Sequence, residues 1–152
     1  MIAGVYHTGK STNKDESVSY SFEDLTVGLT EKTTNIVTED DVHTFAGVTG
    51  DTNPVHLDAD YAATTSFEKP IAHGMLAAGF ISAAIGTKLP GAGCIYLEQS
   101  LKFRAPVFIG AEVTTTVTVK DLNERRRRAT IETVCTVDGK KVVTGEALIM
   151  IP

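Results

Sequence analysis

Tryptophan is absent from this sequence, and cysteine occurs only at Cys94 and Cys135. Two thiols so far apart make neither a zinc site by themselves nor the disulfide framework of a small extracellular domain, so both read as buried apolar side chains. No weakly charged apolar run approaches the roughly 20 residues that cross a bilayer, and the first residues do not run from basic to apolar as a secretion signal does. A cytoplasmic protein without membrane contact is therefore expected. Excess positive charge is also missing: 14 Lys and Arg stand against 19 Asp and Glu, for a net charge of −5. Nucleic acid is not an expected partner. One basic run, Arg125 to Arg128, departs from that balance; it reads as a charged face beside a turn, with phosphate contact as the other use. His and Cys nowhere stand at ligand spacing, so no metal is expected, and nothing suggests an organic cofactor.

What is present fits one globular domain. A chain of 152 residues, 42% hydrophobic and 22% charged, can bury a core without metal or disulfide support. Residues 1–17 are polar and patternless and read as a flexible leader; residues 18–152 read as a single domain. Val18 to Phe22 and Thr33 to Thr38 alternate like short strands. Thr38 followed by Glu39, Asp40 and Asp41 is a helix start, with a capping hydroxyl and an acidic first turn, and Gly50 can end that helix. From Gly74 to Lys88 the chain is apolar or small nearly all round, which predicts a helix buried on most sides. Gly79 and Gly86 inside it predict that something packs close to its backbone.

After Leu89 to Gly93 the period changes to two. Ile95, Leu97, Gln99, Leu101 and Phe103 share one strand face, Val113, Thr115, Val117 and Val119 another, and Ile131, Thr133, Cys135 and Val137 a third. Asp138-Gly139 is a hairpin signal, followed by a strand lined by Val143, Ala147, Ile149 and Ile151. Long strands joined by short turns make an antiparallel sheet. A curved sheet around one apolar helix satisfies both elements, which places the chain in the α+β class.

The segment GVTGDTNPVHLDAD, Gly47 to Asp60, sets Asp51 and His56 five positions apart in a run whose Gly, Asn and Pro do not suit a regular helix. On the residues alone this is either an acid/base pair or a solvated turn with an Asx-type hydrogen bond. His73 reads as a buttress of this loop or as a second acid/base group, and His43 as solvated.

GDTNPVHLD, FEKPIAHGML and LPGAGCIYLEQSLKFRAPVFIGAEV together resemble the (R)-specific enoyl-CoA hydratases of the MaoC-like dehydratase family, from about Phe45 to the C-terminus. The resemblance implies a hotdog fold, an antiparallel sheet wrapped around a long central helix, and a homodimer. It implies a hydro-lyase that reversibly adds water syn to trans-2-enoyl-CoA, giving (R)-3-hydroxyacyl-CoA of the kind that feeds polyhydroxyalkanoate synthesis. Acyl-CoA is the implied partner, with acyl carrier protein open as the alternative carrier. Asp51 and His56 become the implied catalytic pair. Gly74, whose amide opens the apolar helix, becomes the group that receives the thioester oxygen. Ser82 and Ile85 match positions that line the acyl pocket, although both also suit core packing. Arg104 is an uncommitted candidate for contact with coenzyme A. Two other readings remain: a hotdog acyl-CoA thioesterase, which usually places a lone carboxylate by the helix, and a non-catalytic acyl-binding domain.

Overall fold

The computed structural model describes residues 18–152, so the leader expected over residues 1–17 lies outside the described residues. The period-two segments form the long strands β4 (Glu112–Asn123), β5 (Arg128–Val137) and β6 (Lys140–Met150), paired as an antiparallel meander. Val113, Val117, Val119, Ile131, Cys135, Val143, Ala147 and Ile149 are all buried on the inner face, as the alternation predicts. Thr115 and Thr133 lie among them, each given a partner: Thr115 Oγ1 meets Cys135 Sγ at 3.5 Å, and Thr133 Oγ1 accepts from Gln99 Nε2 at 3.0 Å. Asp138 and Gly139 both take positive φ, the backbone of a tight hairpin turn.

Shorter strands complete the sheet. β1 (Thr30–Ile36) pairs with β4, while β2 (Ile95–Gln99) and β3 (Lys102–Phe103) pair with β6, giving the order β1-β4-β5-β6-β2 with β3 also on β6. Helix α1 (Glu39–Thr49) begins as expected: Thr38 Oγ1 accepts from Asp41 N at 3.1 Å and Asp41 Oδ2 accepts from Thr38 N at 2.9 Å. It ends at Gly50 in the left-handed region, φ 78°. Two short helices, α2 (Pro54–Leu57) and α3 (Ala59–Ala63), lead to the long α4 (Gly74–Thr87). Ala77, Ile81, Ala84 and Ile85 recur at helical spacing on one face of α4, which packs on β4, β1, β5 and β6. A sheet curved around one helix is the hotdog arrangement.

Four local expectations are corrected. Val18 to Phe22 is not a strand: it makes a single bridge, Ser19 to Gly91, then a 3-10 turn over Phe22–Asp24, because Ser21 and Asp24 cap each other. The strand expected at Thr33 to Thr38 starts and stops earlier, since Thr38 is committed to capping α1. The face from Ile95 to Phe103 is interrupted by a bulge between Tyr96 and Glu98 and by Ser100, and Ile95, Leu97 and Phe103 are exposed. Cys94 is only half-buried, unlike Cys135.

Helix α4 also differs from its expected burial. Met75, Gly79, Ser82, Ala83 and Gly86 are exposed, and nothing lies within 4 Å of where a Cβ would stand on Gly79 or Gly86. A sheet on one side covers only one face. The basic run behaves as a charged face: Arg127 pairs with Glu23 at 2.6 Å and lies over the Phe22 ring. Its guanidinium holds the Glu23 carboxyl down at about 2.

Ile81 is fully buried at the centre of α4. Ile81→Ala is expected to cost about 2–5 kcal/mol through lost burial and an unfilled cavity, against about 1 kcal/mol for removing the α1 cap with Thr38→Ala. Urea denaturation midpoints of the two variants check that order.

Candidate active site

The segment after α1 was expected to be irregular, and instead it winds into two short capped helices. Gly50 turns the chain, and Asp51 Oδ1 accepts from Asn53 N at 3.3 Å. Asn53 then caps α2 by accepting from Val55 N at 3.3 Å, with Pro54 at the first helical position. Proline there has its φ preset and no N–H left over, which is why this run can start a helix at all. Asp58 caps α3 in turn, accepting from Asp60 and Tyr61. The consequence is that His56 is carried on a helical turn beside the loop that carries Asp51.

A second segment, Ile71 to Gly74, faces that turn. Ala72 N donates to Val107 O at 2.7 Å, and Ile71 bridges to Phe108. The Ile71 carbonyl accepts from His56 Nδ1 at 2.7 Å, so Nδ1 carries the hydrogen and Nε2 keeps the lone pair. His73 is buried, with its Nε2 2.9 Å from the Asp51 carbonyl oxygen. Gly74 opens α4, where first-turn N–H groups have no intrahelical partner and the helix dipole favours negative charge.

A cavity of about 470 Å³ lies against this junction, lined chiefly by apolar side chains including Phe67, Met75, Phe103 and Val143, with His56 and Gly74 at its wall. Phe103 and Val143 are register partners between β3 and β6. The Phe103 ring lies so close that a Cβ on Gly74 would stand 2.7 Å from two of its carbons. Any larger residue at this position would have to push the half-exposed Phe103 ring aside. Arg104 also lines the cavity, and its Nε donates to Thr144 Oγ1 at 2.8 Å.

Of the residues expected from sequence, Asp51 and His56 come together, and His56 shares the cavity wall with Gly74. Asp51 and His56, with His73, have donor atoms within 4.8 Å of one another. That trio is also spaced to accept a metal ion; each imidazole commits one nitrogen to a backbone carbonyl, which leaves its other nitrogen for a proton or a ligand. Ser82 and Ile85 do not join the group. Ile85 is fully buried in the core, Ser82 is exposed on the open face of α4, and neither lines the cavity. The sequence reading passed over Phe67, Met75, Phe103 and Val143; Phe103 and Val143 do sit on alternating strand faces, but periodicity does not say which strand ends meet the helix start. His43 is solvated, as expected, and lies 3.8 Å from Glu39.

Comparison with known proteins accords with this geometry. The MaoC-like domain family matches residues 25–142. An (R)-specific enoyl-CoA hydratase of Rhodospirillum rubrum is 51% identical over 138 residues, which is 91% of this chain and 96% of that protein. A 3-hydroxybutyryl-CoA dehydratase of Methylorubrum extorquens is 50% identical, covering 86% of this chain and 83% of its own. The solved (R)-hydratase of A. caviae, described as involved in PHA biosynthesis, superposes with a TM-score of 0.83 at 45% identity, covering 86% of this chain and 99% of that one.

Proposed function

We propose, from the premise that this chain belongs to the MaoC-like domain family, that it is an (R)-specific enoyl-CoA hydratase. It adds water reversibly to trans-2-enoyl-CoA and gives (R)-3-hydroxyacyl-CoA. The observation that carries this reading is that His56, grouped with Asp51 and His73, shares one cavity wall with Gly74 at the start of α4.

The chemistry follows from that geometry. The thioester oxygen accepts a hydrogen bond from the Gly74 N–H, and the start of α4 stabilises the negative charge that develops on it. Asp51 and His56 hold one water molecule between them. The pair takes a proton from the water as its oxygen bonds to C3 and passes that proton on to C2, so both groups end as they began. Both groups approach from one side, so hydroxyl and hydrogen add to the same face. The reverse reaction removes them along the same path. The product is the monomer form used in polyhydroxyalkanoate synthesis, and we assign the enzyme to that supply in the cytoplasm. Among the described residues, no helix is long and apolar enough to cross a membrane.

Asp51→Asn and His56→Ala are each expected to lower kcat by roughly 10²-fold or more with the fold retained. Crotonyl-CoA provides the assay: loss of enoyl absorbance without free thiol is hydration, release of thiol is the thioesterase reading, and neither is the binding-domain reading. A folded variant with wild-type turnover removes that residue from the mechanism.

The working unit is a homodimer in this proposal. Met75, Ile95, Tyr96, Leu97 and Phe103 are large, apolar and exposed, and β2 is a sheet edge with unpaired backbone groups. A second copy pairing at β2 covers them. Light scattering at micromolar concentration is expected to give a dimer mass for the wild type and a monomer mass for Leu97→Glu; a monomeric wild type rejects the assembly.

Although neither Ser82 nor Ile85 lines the cavity, we further propose that a bound acyl chain extends beyond it along α4 toward them, about 12 and 16 Å from Gly74 by helix rise. Their bulk then favours short chains of about four to six carbons, since overpacking a fixed pocket costs roughly 1–3 kcal/mol. Ile85→Ala and Ser82→Gly are expected to raise the C8 to C4 ratio of kcat/KM. An unchanged ratio in both variants would leave these residues as core packing alone.

A further inference from the structure

His73 is the one imidazole at the site to which the mechanism gives no task. It is 2% exposed. Two rings pack against it, Phe45 of α1 with centroids 4.8 Å apart and His56 of α2 at 3.9 Å. A carbonyl oxygen can only accept, so the 2.9 Å contact with the Asp51 carbonyl places a hydrogen on His73 Nε2. Nδ1 is buried with no partner among the described residues, which suits a bare lone pair better than a second N–H. In the opposite tautomer, lone pair would face lone pair across the Asp51 contact.

The peptide that His73 holds is the one between Asp51 and Thr52. Its orientation sets the ψ angle of Asp51, and therefore where the following Asx turn presents the carboxylate. His73 also lies against the His56 ring and is joined directly to Gly74 through the chain. It touches all three parts of the site and, like Asp51, is not among the residues that line the cavity.

We propose that His73 is a positioning residue. Its Nε2–H fixes the Asp51 peptide and its ring fixes the plane of His56, so that acid, imidazole and the Gly74 amide keep one mutual spacing; it transfers no proton itself. The inference rests on the hydratase reading for its kinetic effect, but its structural part stands without it.

Two substitutions separate the functions of the side chain. His73→Phe keeps a packed ring and removes the donor. His73→Gln removes the ring but puts an amide N–H at nearly the reach of Nε2. His73→Phe is expected to lower kcat roughly 10²-fold with KM within about twofold, the scale of loss for a catalytic group misplaced by about an ångström. His73→Gln should recover at least about tenfold of that loss, with both limbs of the pH–rate profile where the wild type has them. In an Asp51→Asn background, His73→Phe should cost little further, because both changes act through the same group. Wild-type kcat in His73→Phe, a missing pH limb in His73→Gln, or full additivity with Asp51→Asn would overturn the proposal. Should His73→Phe fail to fold, His73→Gln against wild type and in the Asp51→Asn background carries the same comparison. One readout is independent of turnover: long-range proton–nitrogen NMR of the His73 ring is expected to show Nε2 bonded to hydrogen and Nδ1 not, and the opposite tautomer overturns the assignment. A wild type that shows the expected tautomer but hydrates no enoyl-CoA would reject the proposed activity and leave the His73 anchor standing.

Discussion

One backbone hydrogen bond, from Ala72 N–H to the Val107 carbonyl at 2.7 Å, sets the geometry of the site. It seats the segment Ile71 to Gly74 against the chain that leads into β4. Each residue on either side of Ala72 then has a fixed task. The carbonyl of Ile71 selects the His56 tautomer, the His73 ring meets the Asp51 peptide, and Gly74 starts α4 at the positive end of its dipole. The side chains proposed as catalytic come from the α1–α2 junction, but what orients them is this second segment. Its anchor is the connection between β3 and β4, which is held in turn by two backbone hydrogen bonds with Val37, so the precision of the site rests on this loop being pinned where it enters the sheet.

The sequence disclosed those parts of the fold whose cause is local. Thr38 and Asp41 can cap a helix without knowing anything else about the chain, and the alternation from Val113 to Ile149 needs only a buried face to pack against. The errors lie where a residue has two possible employers. Thr38 could extend a strand or cap a helix, and Ser21 could sit in a strand or pair with Asp24 at a helical turn; in both cases a side chain satisfied a nearby N–H first. Pro54 was read as a helix breaker, although at the first helical position it is a starter.

The site was legible in a different way. Asp51 and His56 are close in sequence and joined by turn residues, so their meeting could be anticipated, and Gly74 stood out as the start of an apolar helix. Phe103 and Val143 were invisible because their place depends on the β3–β6 register and on how the sheet curves over the helix start. Ile85 shows the opposite limit. An apolar residue on a buried helix can serve the core, a ligand or both, and periodicity is the same for all; Ile85 is fully buried with the core cluster.

The two edges of the sheet are chemically unlike. β1 offers Thr, Glu, Lys and Asn along nearly its whole length, whereas β2 begins Ile-Tyr-Leu. A ribbon that is adhesive at both ends can add copies without limit, and the end state of that process is a fibre. With one end wetted by hydroxyls and charges, growth has a terminus after a single addition at the other. Polarity along β1 therefore acts as a stop signal for polymerisation, written in side chains that take no part in chemistry.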